Sequence, residues 1–184
     1  MMKARVLALA SAALALAAVA AVPARAALEQ GAAAPDFTAP AYLAGKAFTF
    51  NLDEALKKGP VVVYFFPAAY TPGCQIEAHL FAEAADEFKA QHATIIGVTA
   101  GNTDKLEKFS SDTQYCSGKF PMALDEGAKI AVTYKSTLAE KPLSDRTSYV
   151  IGKDHKIALA YSNLNPTDHV TQTLAAVKKL NGKS

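Results

Sequence analysis

The spacing of hydrophobic positions changes several times along the chain, and each change predicts an element. Val61, Val62, Val63, Tyr64, Phe65 and Phe66 form an unbroken β-branched and aromatic run, the pattern of a central strand covered on both faces. Pro67 stops it. From Cys74 to Gln91 the period becomes helical, with Ile76, Leu80, Ala84 and Phe88 every four residues and Ala78, Phe81 and Ala85 beside them. Thr94 to Val98 reads as a second apolar strand. Thr103 is placed to cap a helix with Leu106, Phe109, Thr113 and Cys116 on one stripe, which Gly118 would end.

The flanking segments are shorter. Leu28 to Ala33 reads as a loose lead-in, and Ala34-Pro35-Asp36-Phe37 as the start of the ordered part. Phe48, Phe50 and Leu52 alternate as in a half-buried strand, and polar Asp53 to Lys58 reads as a connection ended by Gly59-Pro60. Met122 to Leu124 fits a short strand and Gly127 to Lys135 a short helix. Ser148–Ile151 and Ile157–Tyr161 fit two strands of a hairpin turning at Gly152-Lys153-Asp154. Asn165-Pro166 opens a last helix with Val170, Leu174 and Val177 facing inward. Strand–helix alternation followed by a hairpin and a helix predicts an α/β sandwich with a mixed sheet. No repeat or linker divides residues 27–184, which read as one domain.

The N-terminus changes the reading of charge. Lys3 and Arg5 precede the seventeen-residue run Val6 to Val22, all Ala, Leu and Val but for one Ser, and Pro23 and Ala24-Arg25-Ala26 follow. This is the three-part pattern of a cleaved signal peptide, residues 1–26. A membrane anchor is the alternative, but the run is at the lower length limit and mostly weakly apolar alanine. The whole chain has 19 basic and 17 acidic residues. Removal of Lys3, Arg5 and Arg25 leaves a net charge of −1, so neither nucleic acid nor, after cleavage, a membrane is expected as partner. Export would place the protein in the periplasm or outside the cell, where a disulfide can persist.

Candidate chemistry centres on Cys74, in the first turn of the helix after the strand and its proline-rich loop. Free amides at a helix N-terminus stabilise an anion, and the thiolate is the nucleophilic form of a cysteine. An ordinary thiol is only ~3% ionised at pH 7. A helix terminus contributes ~0.3–1 kcal/mol towards the anion, well short of a fully reactive thiolate. A nearby cation can shift an ionisation by ~1–3 units, so a reactive cysteine needs a second positive group from elsewhere in the chain.

Pro67-x-x-x-Thr71-x-x-Cys74 resembles the active-site signature of the peroxiredoxins. Thr71-Pro72-Gly73-Cys74 with Glu77-Ala78 resembles their Q-type, or bacterioferritin-comigratory, branch. Ala34-Pro35-Asp36-Phe37 is similar to the family's opening motif, and Arg146-Thr147-Ser148-Tyr149-Val150-Ile151 to its arginine strand. The resemblance implies a thioredoxin-like α/β fold, a mixed central sheet flanked by helices on both faces. It also implies thiol-dependent reduction of hydrogen peroxide and organic hydroperoxides. On that match Cys74 is the peroxidatic nucleophile and Arg146 the missing cation. Thr71 supplies a hydroxyl to thiolate and peroxide, and Pro67 shields the pocket. Glu77, three residues after Cys74 on the same helix side, is placed to orient the guanidinium.

The sequence departs from the Q-type pattern at one position. Many relatives carry a resolving cysteine five residues after the first, where this chain has His79. Cys116 is the only other thiol, and an intramolecular Cys74–Cys116 disulfide is the expectation, against simple burial of Cys116. The implied reductant is a thioredoxin-like protein or a small thiol, and the implied state a monomer or a weak homodimer. A thiol–disulfide oxidoreductase of the same fold would want Cys-x-x-Cys, but Glu77 stands at the second position. A non-catalytic domain stapled by Cys74–Cys116 is a further alternative. His92, His155 and His169 lack ligand-like grouping, so surface or cap roles are expected and no metal. No phosphate-binding glycine loop or haem motif appears, so no cofactor is expected.

Overall fold

The computed structural model describes residues 27–139 and 141–182. The signal-peptide expectation for residues 1–26 lies outside them. Seven strands form one sheet in the order β2-β1-β5-β4-β3-β6-β7. They are β1 (Thr38–Leu43), β2 (Lys46–Asn51), β3 (Val61–Phe65), β4 (Thr94–Thr99), β5 (Met122–Leu124), β6 (Thr147–Ile151) and β7 (Ile157–Ser162). β3 pairs parallel with β4, and β4 with β5, while the other pairings are antiparallel. The mixed sheet of the sequence reading is therefore present.

β3 explains the two-faced core. Its side chains alternate, so Val61, Val63 and Phe65 join one buried cluster with Leu52, Leu56 and Ala131. Val62, Tyr64 and Phe66 join the other, with Phe81, Phe88, Leu106 and Val177. Helices α1 (Leu52–Leu56) and α4 (Lys129–Thr133) cover the first face. Helices α2 (Pro72–Ala90), α3 (Leu106–Ser111) and α5 (Asp168–Asn181) cover the second. All five β3 side chains are buried, as its unbroken apolar run predicts.

Several boundaries differ from the sequence reading. Residues 53–58 are no simple connection: Asn51 accepts the Glu54 amide at 2.8 Å and caps α1. Phe48 in β2 is 40% exposed, because β2 is an edge strand. The buried stripe of α2 is Cys74, Glu77, Ala78, Phe81, Ala82, Ala85 and Phe88, whereas Ile76 is 48% exposed. Glu77 faces inward with Cys74, on the helix side the sequence reading gave it. The helix predicted from Thr103 begins as a 3-10 turn and ends at Ser111, so Cys116 lies in the following loop. Gly118 closes that loop with a positive φ of 64° and its amide on the Ser110 carbonyl at 3.0 Å.

Tyr64 sits opposite Gly97 of β4, and its ring stacks on Phe81 at 4.5 Å. A Cβ at residue 97 would meet Tyr64 Cζ and Met122 Sδ at 2.7 Å. The glycine thus makes room for the ring on which α2 rests. Gly97→Ala is expected to destabilise the fold by ~1–3 kcal/mol through overpacking, read as a lower urea midpoint. An unchanged midpoint would show that the ring has room to move.

Candidate active site

α2 starts where the chain leaves β3, so its first turn lies over the end of the central strand. Tyr70 takes a left-handed φ of 61° in the connecting loop. Asn102 donates to the Ala69 carbonyl at 2.8 Å, and Thr99 Oγ1 donates to the Pro67 carbonyl at 3.1 Å. These bonds from the end of β4 fasten the loop before the helix. Thr71 is the N-cap residue and Pro72 opens the helix. Cys74 is then buried, with 1% of its surface exposed.

Arg146 arrives through sheet pairing. β6 lies antiparallel beside β3, with Thr147 opposite Phe65, so the residue before β6 emerges next to the end of β3. Arg146 Nη2 donates to Cys74 Sγ at 3.5 Å across 72 residues of sequence. Nη1 donates to Glu77 Oε2 in a short contact, and Nε donates to the Leu164 carbonyl at 3.0 Å. All three nitrogens are engaged, which fixes the plane of the guanidinium. A Cβ on residue 73 would meet Nη2 at 2.9 Å, so Gly73 leaves the cation room beside the thiol. Both Arg146 and Glu77 are buried.

The structure thus brings Cys74, Arg146 and Glu77 into one buried cluster. Thr71 is adjacent but its hydroxyl donates to the Ala68 carbonyl at 3.0 Å, rather than to the thiol as the sequence reading had it. Its oxygen retains acceptor capacity. Pro67 is half-buried in the loop. Glu77 occupies the position a Cys-x-x-Cys protein gives to its second cysteine, and it is committed to Arg146.

Cys116 packs in the same buried apolar cluster as Cys74. It is buried, and burial, with help from Asp112, pushes its thiol far above the ordinary range. Its loop is fastened to the Cys74 region by Tyr70 Oη on Asp112 at 3.1 Å, Gln75 on Tyr115 Oη at 2.8 Å and His79 Nδ1 to the Gln114 carbonyl oxygen at 3.1 Å. Both cysteines are free thiols. Between α2 and this loop lies an open groove of about 510 Å³ lined by Pro72, Ile76, His79, Leu80 and Tyr115.

His169 corrects the sequence reading most directly. It was expected at the surface or as a cap, yet it is fully buried in the first turn of α5. Its Nδ1 lies 2.8 Å from Ser148 Oγ and 3.5 Å from Glu77 Oε1, and its Nε2 lies 2.8 Å from the Asn163 carbonyl oxygen. The signal was available: His169, Thr173 and Val177 recur every four residues, and all three are buried. His92 is exposed and His155 partly exposed, as expected.

Fold and site together define a class, an α/β sandwich in which a buried helix-terminal cysteine meets an arginine from a neighbouring strand. The AhpC/TSA family model matches residues 30–160, and the chain belongs to that family, the peroxiredoxins, a family of peroxidase enzymes. It is similar to the chloroplastic peroxiredoxin Q of Sedum lineare, at 32% identity over 67% of this chain and 66% of that protein. Against the chloroplastic peroxiredoxin Q of Oryza sativa subsp. japonica it is 30% identical over 83% of this chain and 68% of that protein. The chain spans about two thirds of the length of both plant relatives. The crystal structure of peroxidoxin BcpB from Mycobacterium tuberculosis aligns with a TM-score of 0.73 at 28% identity, over 83% of this chain and 98% of that one.

Burial pushes the Glu77 carboxyl up to about 8, against the opposing pull of Arg146. The folded state therefore keeps a proton that the unfolded chain gives up near 4.5. This contribution to stability is complete below pH 4.5 and is lost as pH rises towards 8. The urea midpoint is expected to fall between pH 6.5 and 8.5, assay values chosen around the ~8 transition, and Glu77→Gln is expected to flatten that fall. An equal slope in the variant would assign it to other groups.

Proposed function

We propose that the chain is a thiol-dependent peroxidase that reduces hydrogen peroxide and organic hydroperoxides at Cys74. The observation that carries this reading is the 3.5 Å contact from Arg146 Nη2 to Cys74 Sγ inside a buried cluster. The Cys74 thiolate attacks one peroxide oxygen; an S–O bond forms and the O–O bond breaks. Sulfur is oxidised by two electrons to a sulfenic acid, and the leaving oxygen takes a proton to become water or an alcohol. Charge moves from sulfur to the leaving oxygen along this path, and a preorganised guanidinium beside it lowers the barrier. Thr71, with its hydrogen committed to Ala68, offers an acceptor for the peroxide hydrogen, and Pro67 limits access of water.

Cys116 then closes the cycle. Its sulfur attacks the sulfenic sulfur, an S–S bond forms, and water leaves with the Cys116 proton. A disulfide needs the two Cα atoms within ~7 Å. Closure of that bond draws on the loop carrying Cys116, whose Asp112, Gln114 and Tyr115 are hydrogen-bonded to Tyr70, His79 and Gln75. A thioredoxin-like dithiol or a small thiol reduces the disulfide. In this reading residues 1–26 export the chain to the periplasm or beyond, and the donor is met there.

The test is peroxide consumption with thioredoxin or glutathione as donor. Cys74→Ser is expected to fall to the uncatalysed background, and full activity in it would overturn the reading. Cys116→Ser is expected to consume one equivalent and then stall with thioredoxin. Sustained turnover would remove Cys116 from the cycle.

A further inference from the structure

His169 poses a question of proton accounting. The Asn163 carbonyl can only accept, so His169 Nε2, 2.8 Å away, carries a hydrogen. Neutral histidine then has only a lone pair at Nδ1. Ser148 Oγ at 2.8 Å can donate to that lone pair, and Glu77 Oε1 lies beside it at 3.5 Å. Oε1 is buried and has no hydrogen bond. An ionised Oε1 there would be a buried carboxylate oxygen that receives no hydrogen from an unprotonated Nδ1, an arrangement that costs free energy. A single proton removes that cost, whether it resides on Nδ1 or on Oε1. Ser148 Oγ, 2.8 Å from Nδ1, accepts in the first case and donates in the second.

We infer that Glu77 and His169 share one bound proton at neutral pH, and that His169 is thereby a positioning residue for the Cys74 thiolate. The reason is charge balance. With the shared proton, the Glu77–His169 pair is neutral overall and Arg146 keeps its full positive charge for the thiol. Formation of the thiolate then makes the whole cluster neutral. Without the proton, Glu77 would cancel Arg146 and the thiolate would leave a net buried anion, the costly arrangement in a low dielectric.

The groups around the pair fit this account. Arg146 faces it from the start of β6, Cys74 from α2 and Tyr64 from β3. Tyr161 of β7 lies edge-on to the imidazole at 4.8 Å, and Asp168 is on His169's own helix. Burial pushes His169 down, its bond to Asn163 pulls it up, Arg146 lowers it and Asp168 raises it. Burial raises Glu77. These two directions keep the proton on the pair and move it towards the carboxyl.

The inference rests on Cys74 acting as a thiolate, and its test involves no peroxide turnover, so failure of the peroxidase reading is separately visible. In a Cys116→Ser background Cys74 is the only thiol. There, His169→Asn is expected to slow alkylation by iodoacetamide at pH 7 about tenfold, the equivalent of one unit in ionisation. With Glu77→Gln also present, residue 77 is neutral regardless, and His169→Asn is expected to leave the rate unchanged. An equal loss in both backgrounds, or none in either, would overturn the inference. Should His169→Asn fail to fold, spectroscopy of the unaltered chain at pH 7 decides. The expected result is a protonated carboxyl infrared band that Glu77→Gln removes, or an imidazolium 15N signal from His169. Absence of both would overturn the shared proton.

Discussion

Arg146 reaches Cys74 because β6 pairs with β3, and the rest of the site is arranged around that meeting. β3 ends where the Cys74 helix begins, and β6 starts beside that end. Two segments 72 residues apart thus deliver a thiol and a guanidinium to one buried point. Gly73 leaves space for the cation, while Glu77 and the Leu164 carbonyl hold its other two nitrogens. The helix terminus alone does not account for a reactive cysteine, since a helix end contributes only ~0.3–1 kcal/mol. The core supports the same geometry from below: Tyr64, seated over Gly97, stacks on Phe81 three residues past Ala78 on the buried face of α2.

A buried ion pair is poor evidence for stability, because desolvation offsets attraction. Its value here is functional. Arg146 has three partners that compete for its charge, and Glu77 is the strongest competitor by contact. A proton held between Glu77 and His169 settles that competition in favour of the thiol. The contrast with Cys116 is electrostatic as well. Both burial and Asp112 disfavour the ionised form of Cys116.

Much of this was legible before the structure. The all-apolar run of β3 announced a central strand, and the change to helical spacing after Cys74 announced α2. The need for a distant cation followed from the weakness of a helix terminus, and Arg146 was identifiable through its motif. What failed were features decided by tertiary contact. Ile76 belongs to the apolar four-residue repeat of α2, yet it is 48% exposed, because the buried stripe runs through Cys74, Glu77 and Phe81. Cys116 sits at helical spacing from Leu106 and Phe109, yet α3 stops at Ser111 and the chain turns back through Gly118. His169 was read as a surface or cap histidine because it stands apart in sequence from any ligand-like grouping. Its partners Glu77 and Ser148 come from α2 and β6, and only the packing of α5 reveals them.

The central claim is that Arg146 holds Cys74 as a thiolate. The most direct measurement is the ultraviolet absorbance of the thiolate in the Cys116→Ser chain at pH 7, with and without Arg146→Gln. The account predicts a thiolate signal that the arginine substitution abolishes while the fold, followed by circular dichroism, is retained. An undiminished signal in a folded Arg146→Gln chain would contradict it.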